Sequence, residues 1–236
     1  MTTPGAPVLE LSGVSKDYRG LRPLRIADLA VLPGESVAIL GLDQIAAEVF
    51  VNLVTGATLP DRGEVRLFGR STAAITDSAD WLAVVDRFGI VSRRAVLLDA
   101  LTVVQNLAMP FTLEIEPPPE DVRRRAVALA QRVGLDDASL DRPVGELGPS
   151  GHARMRLGRA LALDPAIVIL EHPTAEVPRE EVAAFAGQCR GLPATTIALT
   201  ADAAFADAFG GRRLTLDAAT GGLHERSGWF SRLRGG

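Results

Sequence analysis

Lysine is almost missing from this chain. Lys16 is the only one among 25 basic residues, and every other is arginine. A phosphate-gripping loop built on a lysine is therefore excluded at every later position. Cysteine is nearly absent too: Cys189 stands alone, so no internal disulfide can form, and nothing near it resembles a metal cluster. Aromatic residues make up only 5%, and aliphatic ones dominate an apolar fraction of 47%. No apolar run approaches the roughly 20 residues of a membrane span. The N-terminal stretch MTTPGAPVLEL lacks a basic start and a long apolar core, so it does not read as a signal peptide. The formal charge of −4 is weakly acidic, which argues against a nucleic-acid partner. These absences together predict a soluble, cytoplasmic protein.

What is present is a chain of 236 residues, enough for one good core, arranged around Ser36–Gly56. Val37, Ala38, Ile39 and Leu40 form a short apolar run suited to a strand buried on both faces. Gly41 ends it. Ile45, Val49, Phe50 and Leu53 then recur at helical spacing, and Gly56 stops the helix. A strand, a short loop and a helix is the frame of a phosphate-binding loop, which needs glycine, four residues, glycine, lysine, and serine or threonine. Gly41 fits the first position. Ala46, Ala47 and Glu48 stand where the second glycine, the lysine and the hydroxyl belong.

Along the chain, Val8–Leu11, Leu24–Val31 and Gly63–Gly69 read as strands, the first two antiparallel. Ser71–Trp81 is ambiguous, and Val84–Ser92 reads as a strand. A helical pattern begins near Ala100 and runs to Pro110. Pro119, Glu120 and Asp121 then open a helix with an apolar stripe of Val122, Ala126, Leu129 and Val133, its arginines 123–125 on a solvated face. Ala153–Leu163 and Glu180–Gly187 read as helices. Ala166–Leu170 and Thr195–Thr200 read as buried strands, and Arg213–Leu216 as an edge strand. Alternating strands and helices predict an α/β fold with a mostly parallel central sheet. The helix-rich stretch interrupts that rhythm as an inserted subdomain.

Four stretches in this order resemble the ATP-binding subunit of ABC transporters. They are VLELSGVSKDYRG; the strand–loop–helix with VNLVTGATLPDRGEVRLFG; FGIVSRRAVLLDALTVVQNLAMP; and ELGPSGHARMRLGRALALDPAIVILEHPTA. The resemblance implies a P-loop NTPase-like ABC ATPase fold with a mostly parallel central sheet, an antiparallel β subdomain and a helical subdomain. One domain would span residues 1–236. Its sheet lobe would cover about 7–93 and 153–225, its helical subdomain about 94–152, with a tail at 226–236. ATP and magnesium would be the cofactors, and ATP hydrolysis the activity.

The catalytic positions depart from the family's pattern while the scaffold between them stays legible. The nucleotide-binding positions would be Tyr18, stacking on adenine, with Gly41, Asp43, Gln44, Ala46, Ala47, Glu48 and Val49. The signature, L-S-G-G-Q in the family, is Leu147, Gly148, Pro149, Ser150 and Gly151. The family's aspartate and glutamate on the second strand become Glu171 and His172. The loop glutamine falls on Arg93 and the switch histidine on Ala201.

A phosphate loop converges backbone N–H groups on the phosphates and neutralises them with lysine. Here Gln44 and Ala46 stand where two of the loop's glycines belong, and the lysine charge is lost. Glu48 would face the phosphate, and two like charges about 4 Å apart cost roughly 4 kcal/mol at an effective dielectric near 20. A magnesium ion between them would reverse that sign. Asp43 is a good N-cap and the residues after it favour helix, so the helix is expected to start near Gln44, about a turn early. Tyr18 either stacks on a base or covers the sheet edge. Glu171 and His172 admit an altered hydrolase or a disused site. His152 reads as a surface residue. No metal site is expected apart from that family ion.

The resemblance thus implies a degenerate cassette that works by docking. The expected partners are a transmembrane permease subunit and a second cassette, either another copy or a different ATP-binding subunit. The chain would sit at the inner face of the membrane. Arg93, Arg94, Val96, Leu97, Leu98 and Leu101 would line the permease groove, and the run LLDALTVVQNLAMP resembles subunits of lipoprotein-release, export and lipid-trafficking assemblies. The alternatives are a working ATPase with non-standard site residues and a soluble regulatory module. The basic, aromatic tail RSGWFSRLRGG either touches a membrane or frays.

Overall fold

The computed structural model describes residues 5–225. The elements in chain order are β1 (Leu9–Lys16), β2 (Leu24–Val31), β3 (Ser36–Leu40), α1 (Gln44–Val54), β4 (Arg62–Leu67), β5 (Arg70–Ser71), α2 (Ser78–Val85) and β6 (Phe88–Val91). There follow α3 (Val103–Ala108), α4 (Glu120–Arg132), α5 (Pro149–Leu161), β7 (Ile167–Glu171), α6 (Val182–Arg190), β8 (Thr195–Thr200), α7 (Ala203–Phe209), β9 (Arg212–Leu216) and β10 (Leu223–Glu225). The tail at 226–236 lies outside the described residues.

Two sheets form. One is antiparallel, in the order β2-β1-β4-β5; the other runs β10-β9-β3-β8-β7-β6 and is parallel except for β10. This is the α/β architecture with a mostly parallel central sheet that the sequence predicts. β7 and β8 are buried at every residue, including Glu171 at the end of β7 and the three threonines of β8. Alternation within β7 divides the core. Val168 and Leu170 face a cluster with α3, α4, α5, α6 and α7, while Ile167 and Ile169 face a second cluster with α1 and the antiparallel sheet. The α4 stripe of Val122, Ala126, Leu129 and Val133 is buried as expected. Of the arginines beside it, Arg124 and Arg125 are exposed, and Arg123 reaches Asp141.

The structure corrects five of the expected elements. Val84–Ser92 is not one strand: Asp77 caps a helix that carries Val84 and Val85, and Asp86 and Arg87 turn the chain before β6 begins at Phe88. Arg213–Leu216 is not at the edge, because the turn from Asp217 to Gly222 folds β10 back onto β9. β1 runs on to Lys16, past a register shift between Ser12 and Ser15. α5 starts at Pro149 rather than Ala153, with proline in the first turn, where its missing N–H costs nothing. The helix expected over Glu180–Gly187 is instead a 3-10 turn, Arg179–Glu181, followed by α6 to Arg190. At Gly89, β6 lies so close to α5 that an added Cβ would stand 2.2 Å from the Ala160 carbonyl oxygen.

Candidate functional site

The loop after β3 is short and closed. Gly41 has φ +98°, and a Cβ there would come within 2.7 Å of the Leu216 carbonyl oxygen, so only glycine fits. Leu42 then turns into the core. Asp43 caps α1: its carboxylate accepts from Ala46 N at 2.7 Å, and its carbonyl accepts from Ala47 N at 2.9 Å. The helix therefore begins at Gln44, as its sequence predicts. The first turn already spends two backbone donors on Asp43. Gln44 and Ile45 are exposed, whereas Ala46 and Ala47 are buried. Ala47, in the lysine position, is a core methyl with 0% exposure. Val49 packs half-buried on the same core.

Glu48 projects from the second turn of α1 toward Arg94, just past the end of β6. Arg94 Nη1 lies 2.6 Å from Glu48 Oε1, and its Nη2 lies 2.7 Å from Glu171 Oε2. The third nitrogen, Nε, donates to Ser92 Oγ at 3.3 Å. One guanidinium thus joins the ends of β6 and β7 to the start of α1. The Glu171 side chain is only 4% exposed, and a buried carboxylate requires such a partner. Sequence reasoning placed Arg94 on a docking groove and missed this bridge. The signal was two carboxylates on a site without lysine, beside adjacent arginines.

His172 follows with φ +44°, a left-handed conformation costly outside glycine. Its backbone N donates to Leu199 O at 2.8 Å, and its Nε2 is buried without a hydrogen-bond partner. Gln44, Arg93, Glu171, His172 and Ala175 line a cavity of about 170 Å³. Small-molecule pockets are commonly about 300–1,000 Å³. Arg93, in the loop-glutamine position, pairs with Glu176 at 3.1 Å, which also receives Arg156 Nη1 at 2.9 Å.

Tyr18 is half-buried against the core that holds α1, and its ring fills the space over Gly20. Burial and then the Asp43 charge push its phenol above the usual range.

The signature-like residues lie apart from this cluster. Leu147 ends a 3-10 turn, Gly148 is the N-cap of α5, and Pro149, Ser150 and Gly151 form its first turn. Ser150 is 7% exposed, and its Oγ has no partner. Among the described residues, no hydrogen bond or ion pair links them to α1. His152 is not a simple surface residue: its ring Nε2 lies 2.9 Å from the Val144 carbonyl oxygen. Of the groove residues, Val96 and Leu98 are exposed at 71% and 40%. Leu97 packs on the core, and the Leu101 carbonyl is bonded by Asn106 and Val144. Ala201, in the switch-histidine position, is exposed at the end of β8.

The ABC transporter family model matches residues 24–175, well over half of the chain. The macrolide export ATP-binding/permease protein MacB 1/2 of Paracoccus denitrificans is 33% identical over 181 residues, covering 74% of this chain and 26% of that protein. The lipoprotein-releasing system ATP-binding protein LolD of Pseudomonas fluorescens is 34% identical over 146 residues, covering 62% of this chain and 63% of its own length. The chain thus spans less than two thirds of either relative. A dimeric structure of the ATP-binding cassette MJ0796, bound to ADP and Pi, has a TM-score of 0.73 at 22% identity, covering 94% of this chain and 100% of that one. At that identity the likeness shows the fold. Sequence and fold agree: the chain belongs to the ABC transporter family, as its ATP-binding domain.

Proposed function

We propose that this chain is a cassette subunit that has given up hydrolysis and works by docking, between a membrane permease and a second cassette, at the inner face of the membrane. The observation that carries this reading is the closed start of α1. The lysine position is a core alanine, and the cap is an aspartate whose charge opposes a phosphate. Lys16 is engaged elsewhere, with Asp61 at 2.9 Å. A magnesium nucleotide does not fit these residues, because Glu48 and Glu171, which stand at the family's hydroxyl and aspartate positions, already hold Arg94. Val96 and Leu98 supply exposed apolar contact on the loop between β6 and α3. An export or lipoprotein-release assembly is the class that its relatives suggest.

Calorimetry with ATP and magnesium tests the reading. No heat of binding and no phosphate release are expected at millimolar ATP. Magnesium-dependent turnover that falls in Glu171→Gln or His172→Ala would overturn it and establish a hydrolase with a rearranged site.

A further inference from the structure

We infer that Arg94 is a tethered cation that takes the place of a divalent ion between Glu48 and Glu171. The two carboxylates come from elements far apart in the chain, yet both reach one guanidinium, at 2.6 and 2.7 Å. Ser92 Oγ accepts from Nε, so every nitrogen of the fork has a partner. This is the coordination habit of a small hard cation, oxygen ligands from separate segments converging on one positive centre. The planar fork supplies one positive charge and directional hydrogen bonds without a metal, where a divalent ion would supply two charges. The Arg94 backbone N also lies 3.2 Å from Ser92 Oγ, which fixes the base of the side chain. Among the described residues, no cluster of three metal-ligating side chains exists, so the native chain has no competing centre there.

The inference concerns the same site as the proposed function and rests on its loss of nucleotide chemistry. Its consequence is separable: removing the guanidinium leaves two carboxylates sharing one site, which a divalent ion or a proton must then relieve. Arg94 is thus a positioning residue that makes the junction of β6, β7 and α1 independent of metal.

The test is titration of the full chain with manganese, in the absence of any nucleotide, read by paramagnetic resonance of the free ion and by the melting transition. Wild type is expected to bind none at millimolar manganese, with an unchanged melt. Arg94→Gln and Arg94→Ala are expected to bind one ion at least tenfold more tightly than wild type. Adding Glu171→Gln to either should abolish that binding. Where a variant unfolds in chelator, manganese should restore its melting transition. Wild type binding manganese as tightly as Arg94→Gln would overturn the inference. So would a folded variant that binds none, or an unfolded one that no manganese concentration rescues. None of these readings includes ATP, so calorimetry that overturned the docking role would leave their outcome unaffected.

Discussion

The Thr174 hydroxyl donates to Asp202 Oδ2 at 2.9 Å and so ties the loop after β7 to the loop after β8. The other oxygen of Asp202 caps α7, accepting from Ala204 N at 2.9 Å and Phe205 N at 3.1 Å. Both carboxylate oxygens are therefore engaged. Asp202→Ala removes a cap worth roughly 0.5–2 kcal/mol. It also strands the buried Thr174 hydroxyl, at about 1 kcal/mol or more. Urea unfolding should show a loss of about 1–3 kcal/mol. Asp202→Asn should recover most of it, since its amide oxygen still caps.

Cys189 lies on α6 with 0% exposure, and burial pushes its thiol up to about 12. The reactive species is the thiolate, so the native thiol should be inert at about pH 8. Ellman's reagent should label it only as urea opens the fold, with a midpoint that matches unfolding. Labelling within seconds in buffer would contradict this placement.

Acid should weaken the junction around Glu176. The hydrogen bond from Arg156, then the charges of Arg156, Arg93 and His152, hold its carboxyl below the ordinary 4.5. A lowered folded-state value means that the contribution is fully present above about pH 4.5, the unfolded value, and fades as pH falls through the folded one. Unfolding free energy measured from about pH 7 to about pH 3 should fall below that point. Glu176→Gln should flatten part of the slope.

Two glycines should respond in opposite directions. At Gly89 an added methyl meets the Ala160 backbone at 2.2 Å from O and 3.0 Å from C, neither of which can swing aside. Gly89→Ala should cost at least the ~1–3 kcal/mol of an overpacked core. Gly187 is exposed within α6, and a methyl added there would find nothing within 4 Å. Gly187→Ala should stabilise by about 0.5–1 kcal/mol, because alanine loses less backbone freedom in a helix. Paired chemical denaturation curves check both.

Much of the fold was legible because its signals are local. The apolar runs within β3 and β7, the apolar centre of β8, the Asp43 cap and the α4 stripe each reveal themselves within a few residues. What escaped depended on distance or brevity. α7 spans only seven residues, and its clearest signal was Asp202 ahead of Phe205 and Phe209, whose rings stack at 5.6 Å. β10 is three residues long and exists through its turn onto β9. At the site, the closed helix start could be argued from Asp43 onward. The Arg94 bridge could not, because its partners lie 46 and 77 positions away and only the sheet order brings them together.

The bare approach at Gly89 has a mechanical reading. Where β6 meets α5, there is no side chain between the two backbones to compress or rotate. Any displacement of α5 toward β6 would therefore meet backbone directly at Ala160. That strand leads within three residues to Arg93 and Arg94, so the spacing of α5 sets where the Arg94 fork stands.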